Sequence, residues 1–177
     1  MILTRRHALE FGGGFLAVLL TVRAGFAADD VLDVDMIGNA DGSHVWFDPV
    51  GLHVRPGQTV RWTNRDKGNS HTATAYHPSL FKRPLRIPTD ARPWDSDYLL
   101  PDESFSAVFE EEGVYDYYCV PHEHAGMVGR IVVGSPKLED AMPSAADEGL
   151  TPLPDVALNG FPSLDEILAR GIVRREA

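Results

Sequence analysis

Cysteine is nearly absent from this chain: its 177 residues contain one, Cys119. No internal disulfide can form, and a centre built on two thiolates is excluded. Long apolar runs are missing as well. The stretch from Phe11 to Val22 is only twelve residues, whereas a membrane-spanning helix needs about 20. Positive charge is scarce, with 16 Lys and Arg against 26 Asp and Glu and a formal net charge of −10. That balance argues against non-specific nucleic-acid binding. Between Ala28 and Gly134 there is no helical periodicity of useful length, and the chain has no internal repeat.

The amino terminus has the layout of an export signal. Arg5 and Arg6 precede the short apolar stretch, and Ala24-Gly25-Phe26-Ala27-Ala28 supplies a small-residue cleavage site. The paired arginines and Arg23 favour twin-arginine export over the general secretory route. Against that, Ala8 and Glu10 depart from the twin-arginine pattern. Removing residues 1–27 leaves 13 basic and 25 acidic side chains, a net charge of −12. The expected location is the periplasm, with no permanent membrane span. Export gives the lone cysteine a meaning. An unpaired thiol in an oxidising compartment is open to oxidation unless something occupies it, and a metal ion would do so.

From Val31 onward the sequence reads as short strands and turns. Val31–Ile37, Val45–Phe47, Leu52–Val54, Thr59–Thr63, Ser104–Phe109, Val114–Tyr118 and Met127–Val133 are β-prone, several with apolar residues at alternate positions. Pro56-Gly57 marks a tight turn. The fold class expected is all-β, a Greek-key β-sandwich, with a long loop insertion and a short C-terminal helix. The domain layout is residues 1–27 as export signal, 28–134 as a metal-binding domain, and 135–177 as linker and tail.

The insertion, residues 76–99, is broken by four prolines and reads as a long ordered loop. It gathers Lys82, Arg83, Arg86 and Arg92 in an otherwise acidic chain. Those charges are either simply solvated or a docking patch for a partner of opposite sign. In the tail, Ser163 followed by Glu166 has the form of a capping box, with Leu164, Ile167 and Leu168 at helical spacing and Gly171 as the stop. A helix of about two turns needs something to pack on, either its own sandwich or a partner.

The chemistry lies in Tyr117-Tyr118-Cys119-Val120-Pro121-His122-Glu123-His124-Ala125-Gly126-Met127. Thiolate, imidazole and thioether within nine residues form a soft-metal ligand set. With His71 upstream, the set becomes His₂Cys plus Met, the donor combination of a one-electron copper centre. Such donors serve both copper(I) and copper(II), and a rigid β frame keeps them in place between the two states. His124 is a rival to His122 on the same loop, and His77 opens the insertion close to His71.

The Cys-x2-His-x4-Met loop resembles the copper loop of the cupredoxins, in their plastocyanin and pseudoazurin branches. Pro56-Gly57-Gln58-Thr59-Val60-Arg61-Trp62-Thr63-Asn64, leading to Ser70-His71-Thr72, is similar to the family segment that carries the first histidine. The resemblance covers about residues 31–134. It implies one type 1 copper ion, with His71, Cys119 and His122 as equatorial ligands and Met127 as the axial one. The ion would lie at one end of the sandwich, under the loop joining the last two strands. Thr72 stands where many members have Asn, which puts the side-chain tie between the two ligand loops in question. Pro121 has no N–H to offer the thiolate.

The function implied is single-electron transfer between redox partner proteins, a donor and an acceptor, by a monomer. An enzyme is not expected. Multicopper oxidases and copper nitrite reductases need further histidine ligands, and this chain has one His-x-His, His122-Glu123-His124. Copper delivery or storage is the alternative, although delivery sites often lack a thiolate.

Overall fold

The structure is a computed structural model that describes residues 31–41, 43–136 and 149–175. The expected export signal and most of the linker lie outside the described residues.

Alternation builds the first sheet. In β1 (Val31–Gly38), Val34 and Met36 point inward and are fully buried, while Asp33 and Asp35 point outward. The parallel neighbour β4 (Gln58–Asn64) buries Val60 and Trp62 and exposes Arg61, which forks onto Asp33 at 2.7 and 3.1 Å. The edges are β2 (Val45–Asp48) beside β1 and β6 (Ser104–Phe109) beside β4, giving the order β2-β1-β4-β6. The second sheet comprises β3 (Gly51–Val54), β5 (Thr74–Ala75), β7 (Gly113–Tyr118), β8 (Val128–Val133) and β9 (Ile172–Val173), in the order β5-β7-β8-β3-β9. The two sheets form a β-sandwich.

Between them lies an aromatic core. Trp62 meets Tyr117 edge-on at 5.3 Å and stacks on Trp94 at 5.8 Å, and Phe47 leans on Tyr117 at 4.8 Å. Trp94 belongs to the insertion, which also contributes Ile87, Ala91 and Leu99 to this core. The insertion is an ordered loop, as its prolines imply, tied to the sheet by the isolated bridges His71–Leu99 and Thr74–Asp95 and by backbone bonds from Ala75 N–H to Trp94 O and from Asp116 N–H to Arg86 O, both 2.9 Å.

Two of its four positive charges are not a docking patch. Arg83 is buried and pairs with buried Glu123, which also accepts from the Tyr76 hydroxyl at 2.7 Å. Arg86 joins Arg130 on the buried carboxylate of Asp116, at 2.6 and 2.7 Å. These cations neutralise carboxylates inside the protein, so only Lys82 and Arg92 stay exposed.

The tail packs on its own sandwich. Of two short helices, α2 (Leu164–Arg170) lies against β3 and β8 of the second sheet and α1 (Asp155–Leu158) against the turn Val120–Ala125, while β9 adds an antiparallel strand to β3. Ser163 Oγ accepts from the Glu166 N–H at 3.2 Å, the expected N-cap, while the Glu166 side chain turns instead to Arg170 at 2.7 Å. Ile167 is fully buried against Val50, Val114, Val132, Leu164 and Val173. Phe161 sits beneath both Arg86 and Arg130, each guanidinium 5.1 Å from its ring. With insertion and tail covering its outer face, all six residues of β7 are buried.

Candidate metal centre

Three segments converge at one end of the sandwich. The loop after β4 brings His71, the end of β7 brings Cys119, and a 3₁₀ turn, Val120–Ala125, brings His122. The turn ends at Gly126, whose φ of 77° reverses the chain and which only glycine adopts freely. Met127 follows, fully buried and immediately before β8. Backbone bonds close the loop. Cys119 N–H donates to Met127 O at 3.0 Å, His122 N–H to Cys119 O at 3.0 Å, and Met127 N–H to His122 O at 3.1 Å.

The donor atoms face one another. His71 Nδ1 and His122 Nδ1 are 3.0 Å apart, and Cys119 Sγ lies 3.6 and 3.4 Å from them. Among the described residues, this is the one group of three His, Cys, Asp or Glu side chains that could hold a metal ion. His71 and Cys119 have no exposed surface, while His122 is half-buried. His124 is exposed and outside the group. His77 is likewise outside it and bonds Ser79 at 2.7 Å.

Burial sets the protonation of these groups. It pushes the Cys119 thiol up to about 11, against the opposing N–H groups of Thr72 and His122. It lowers both imidazoles below their usual value, with Asp66 opposing at His71. Neutral imidazoles are what a cation needs, whereas the thiol must give up its proton on loading. One soft sulfur and two borderline nitrogens in a largely buried pocket fit copper in either oxidation state.

The tie between the two ligand loops is present despite the missing Asn. Thr72 N–H donates to Cys119 Sγ at 3.3 Å, and Thr72 Oγ1 accepts from Val120 N–H at 2.9 Å. Thr74 Oγ1 donates its only hydrogen to Asp95 at 2.8 Å, so the 2.9 Å contact between the two threonines has Thr72 as donor. A hydroxyl replaces the amide and links the two loops through a directed chain.

No motif in the sequence points to Asp66. Its carboxylate, 6% exposed, lies 3.0 Å from His71 Nε2. Burial raises its carboxyl, but hydrogen bonds from Asn69, Gly68 and His71 outweigh that and hold it below the ordinary value. Glu123 and Arg83 were also hidden, since their pairing joins residues 40 positions apart.

A family model for copper binding proteins of the plastocyanin/azurin family matches residues 34–134. The chain belongs to this family. Over 95 residues it is 37% identical to the chloroplastic plastocyanin of Tetradesmus obliquus, covering 53% of this chain and 62% of that one, so it spans less than two thirds of that relative. It is 31% identical over 122 residues to the pseudoazurin of Methylorubrum extorquens, covering 67% of this chain and 72% of the relative. Among solved structures, a pseudoazurin from Methylobacterium extorquens superposes with a TM-score of 0.50 at 25% identity, covering 69% and 90% of the two chains. The sandwich is the cupredoxin fold, and copper is the cofactor that the family and this donor set share. The tail from Ser135 lies beyond the family match. No helix among the described residues is long and apolar enough to cross a membrane.

Proposed function

We propose that this chain is an exported type 1 copper protein that carries single electrons between two redox partner proteins. His71, Cys119, His122 and Met127 are the residues that would hold the copper. The observation that carries this reading is the convergence of two Nδ1 atoms and one Sγ in a buried pocket beside a half-exposed imidazole edge. Copper bound there would supply a one-electron Cu(I)/Cu(II) couple.

The chain's own residues do the rest. The backbone bonds around Cys119, His122 and Met127, and the hydroxyl chain from Thr72, hold the donors so that little must move between oxidation states. Thr72 N–H stabilises the thiolate of Cys119. His122 presents its ring edge toward the surface, flanked by exposed Pro121 and Ala125, which allow close and transient docking. The likeness to plastocyanins and a pseudoazurin supports a carrier rather than an enzyme. It acts as a monomer in the periplasm. Burial of three of the four ligands favours a resident ion over copper delivery or storage.

Protein-film voltammetry of the copper-loaded protein tests the reading. One reversible one-electron wave, retained over repeated cycles, is expected. Loss of copper on the first reduction would favour delivery instead.

A further inference from the structure

We propose that Asp66 is a positioning residue for the metal centre: its buried carboxylate fixes the tautomer of His71 and lowers the reduction potential of bound copper. The inference rests on the ligand assignment above and deepens it.

The carboxylate is held from several sides. Oδ2 accepts from Asn69 Nδ2 at 2.9 Å and from His71 Nε2 at 3.0 Å, and Oδ1 accepts from Gly68 N–H at 2.8 Å. The Asp66 N–H donates to Asn64 Oδ1 at 2.9 Å, and Asn64 Nδ2 in turn donates to the carbonyls of Asn69 and Leu99, both at 2.9 Å. Room for the group is made by Gly38 on β1, where a Cβ would lie 2.1 Å from Asp66 Oδ2. Among the described residues no Lys or Arg pairs with Asp66. Its nearby cations face other acids, Lys67 at Asp102 and Arg65 at Asp35. Among the described residues, the ring of His71 is thus the one ionisable group hydrogen-bonded to this carboxylate.

An ionised carboxylate only accepts hydrogen bonds, so the proton of neutral His71 stays on Nε2. The lone pair on Nδ1 is then free and points at His122 Nδ1 and Cys119 Sγ. A carboxylate behind an imidazole also makes it a stronger donor. Stronger donation favours the divalent ion over the monovalent one, so the negative charge of Asp66 lowers the potential. His122 has no carboxylate within hydrogen-bond reach among the described residues. The two imidazoles are consequently unequal: His71 is anchored and electron-rich, and His122 is free to face a partner.

The test is Asp66→Asn, which keeps an acceptor oxygen and the approximate shape but removes the charge. The potential of the copper-loaded variant should rise. Its affinity for copper(II) should fall ten- to a hundred-fold, with a smaller loss for copper(I). A purely structural role would weaken both oxidation states alike, and an unchanged potential overturns the proposal. Nitrogen-15 NMR of the metal-free native protein near neutral pH supplies a second readout that needs no variant and no copper. It should show His71 protonated at Nε2 and bare at Nδ1, and the opposite tautomer overturns the proposal. If the native protein forms no thiolate–copper bond, the ligand assignment fails instead, and the tautomer still reports on Asp66 separately.

Discussion

Replacing Arg83 by Met tests how the insertion holds the metal loop. The Arg83 and Glu123 side chains are 7% and 6% exposed, so neither can turn to water if its partner is removed. Breaking a buried pair from one side costs about 3–5 kcal/mol. Arg83 also lies over the rings of Tyr76 and Tyr118, at 5.6 and 5.4 Å, and each such contact adds roughly 0.5–1 kcal/mol. The Tyr76 hydroxyl still donates to Glu123, which keeps the loss toward the lower end. A cost of about 4 kcal/mol is expected, a large share of the roughly 5–15 kcal/mol that stabilises a domain. Urea unfolding of the metal-free protein measures it. Arg83→Met with Glu123→Gln should cost clearly less than the sum of the two single changes, because the double variant leaves no unpaired buried charge. A loss below about 1 kcal/mol, the scale of a surface ion pair, would refute the clamp.

Three further outcomes follow from the same packing. Thr72→Val leaves the Val120 N–H without its acceptor and breaks the hydroxyl chain, which should cost about 1–3 kcal/mol and speed copper release, while Thr72→Ser should restore both. Ile167→Ala should cost about 2–5 kcal/mol in urea unfolding, and a negligible loss would mean the tail helix is not part of the folded unit. Burial holds the Tyr115 and Tyr118 hydroxyls up to about 12 and raises Tyr76 and Tyr117 further still. An unfolded tyrosine titrates near 10, so this stabilisation is complete below about pH 10 and is lost as pH rises through 12. The urea midpoint of the metal-free protein should fall across that window, and a flat profile would contradict the burial of these rings.

The strands that alternate plainly were legible in the sequence. Ser104–Phe109 forms β6 with the bounds expected, and β4 exceeds the expected Thr59–Thr63 by one residue at each end. The four residues expected at the site lie at one end of the sandwich because the spacing of Cys119, His122 and Met127 is local chemistry. What was hidden depends on partners remote in sequence. All of β7 is buried because two separate segments cover its outer face, which alternation within the strand cannot reveal. Arg83 and Arg86 read as surface charge until Glu123 and Asp116 are seen beneath them. Asp66, in the loop after β4, required Gly38 on β1 to make room. Thr72 stands where an amide is usual, yet its hydroxyl ties the loops by accepting from the Val120 N–H.

The most direct measurement is the visible spectrum of the protein with one equivalent of copper(II), before and after ascorbate, beside that of Cys119→Ser. An intense red-region charge-transfer band that bleaches on reduction and is missing in the variant is expected for copper bound to the Cys119 thiolate. A weak ligand-field band alone, unchanged in the variant, would contradict the ligand assignment and with it the electron-carrying function.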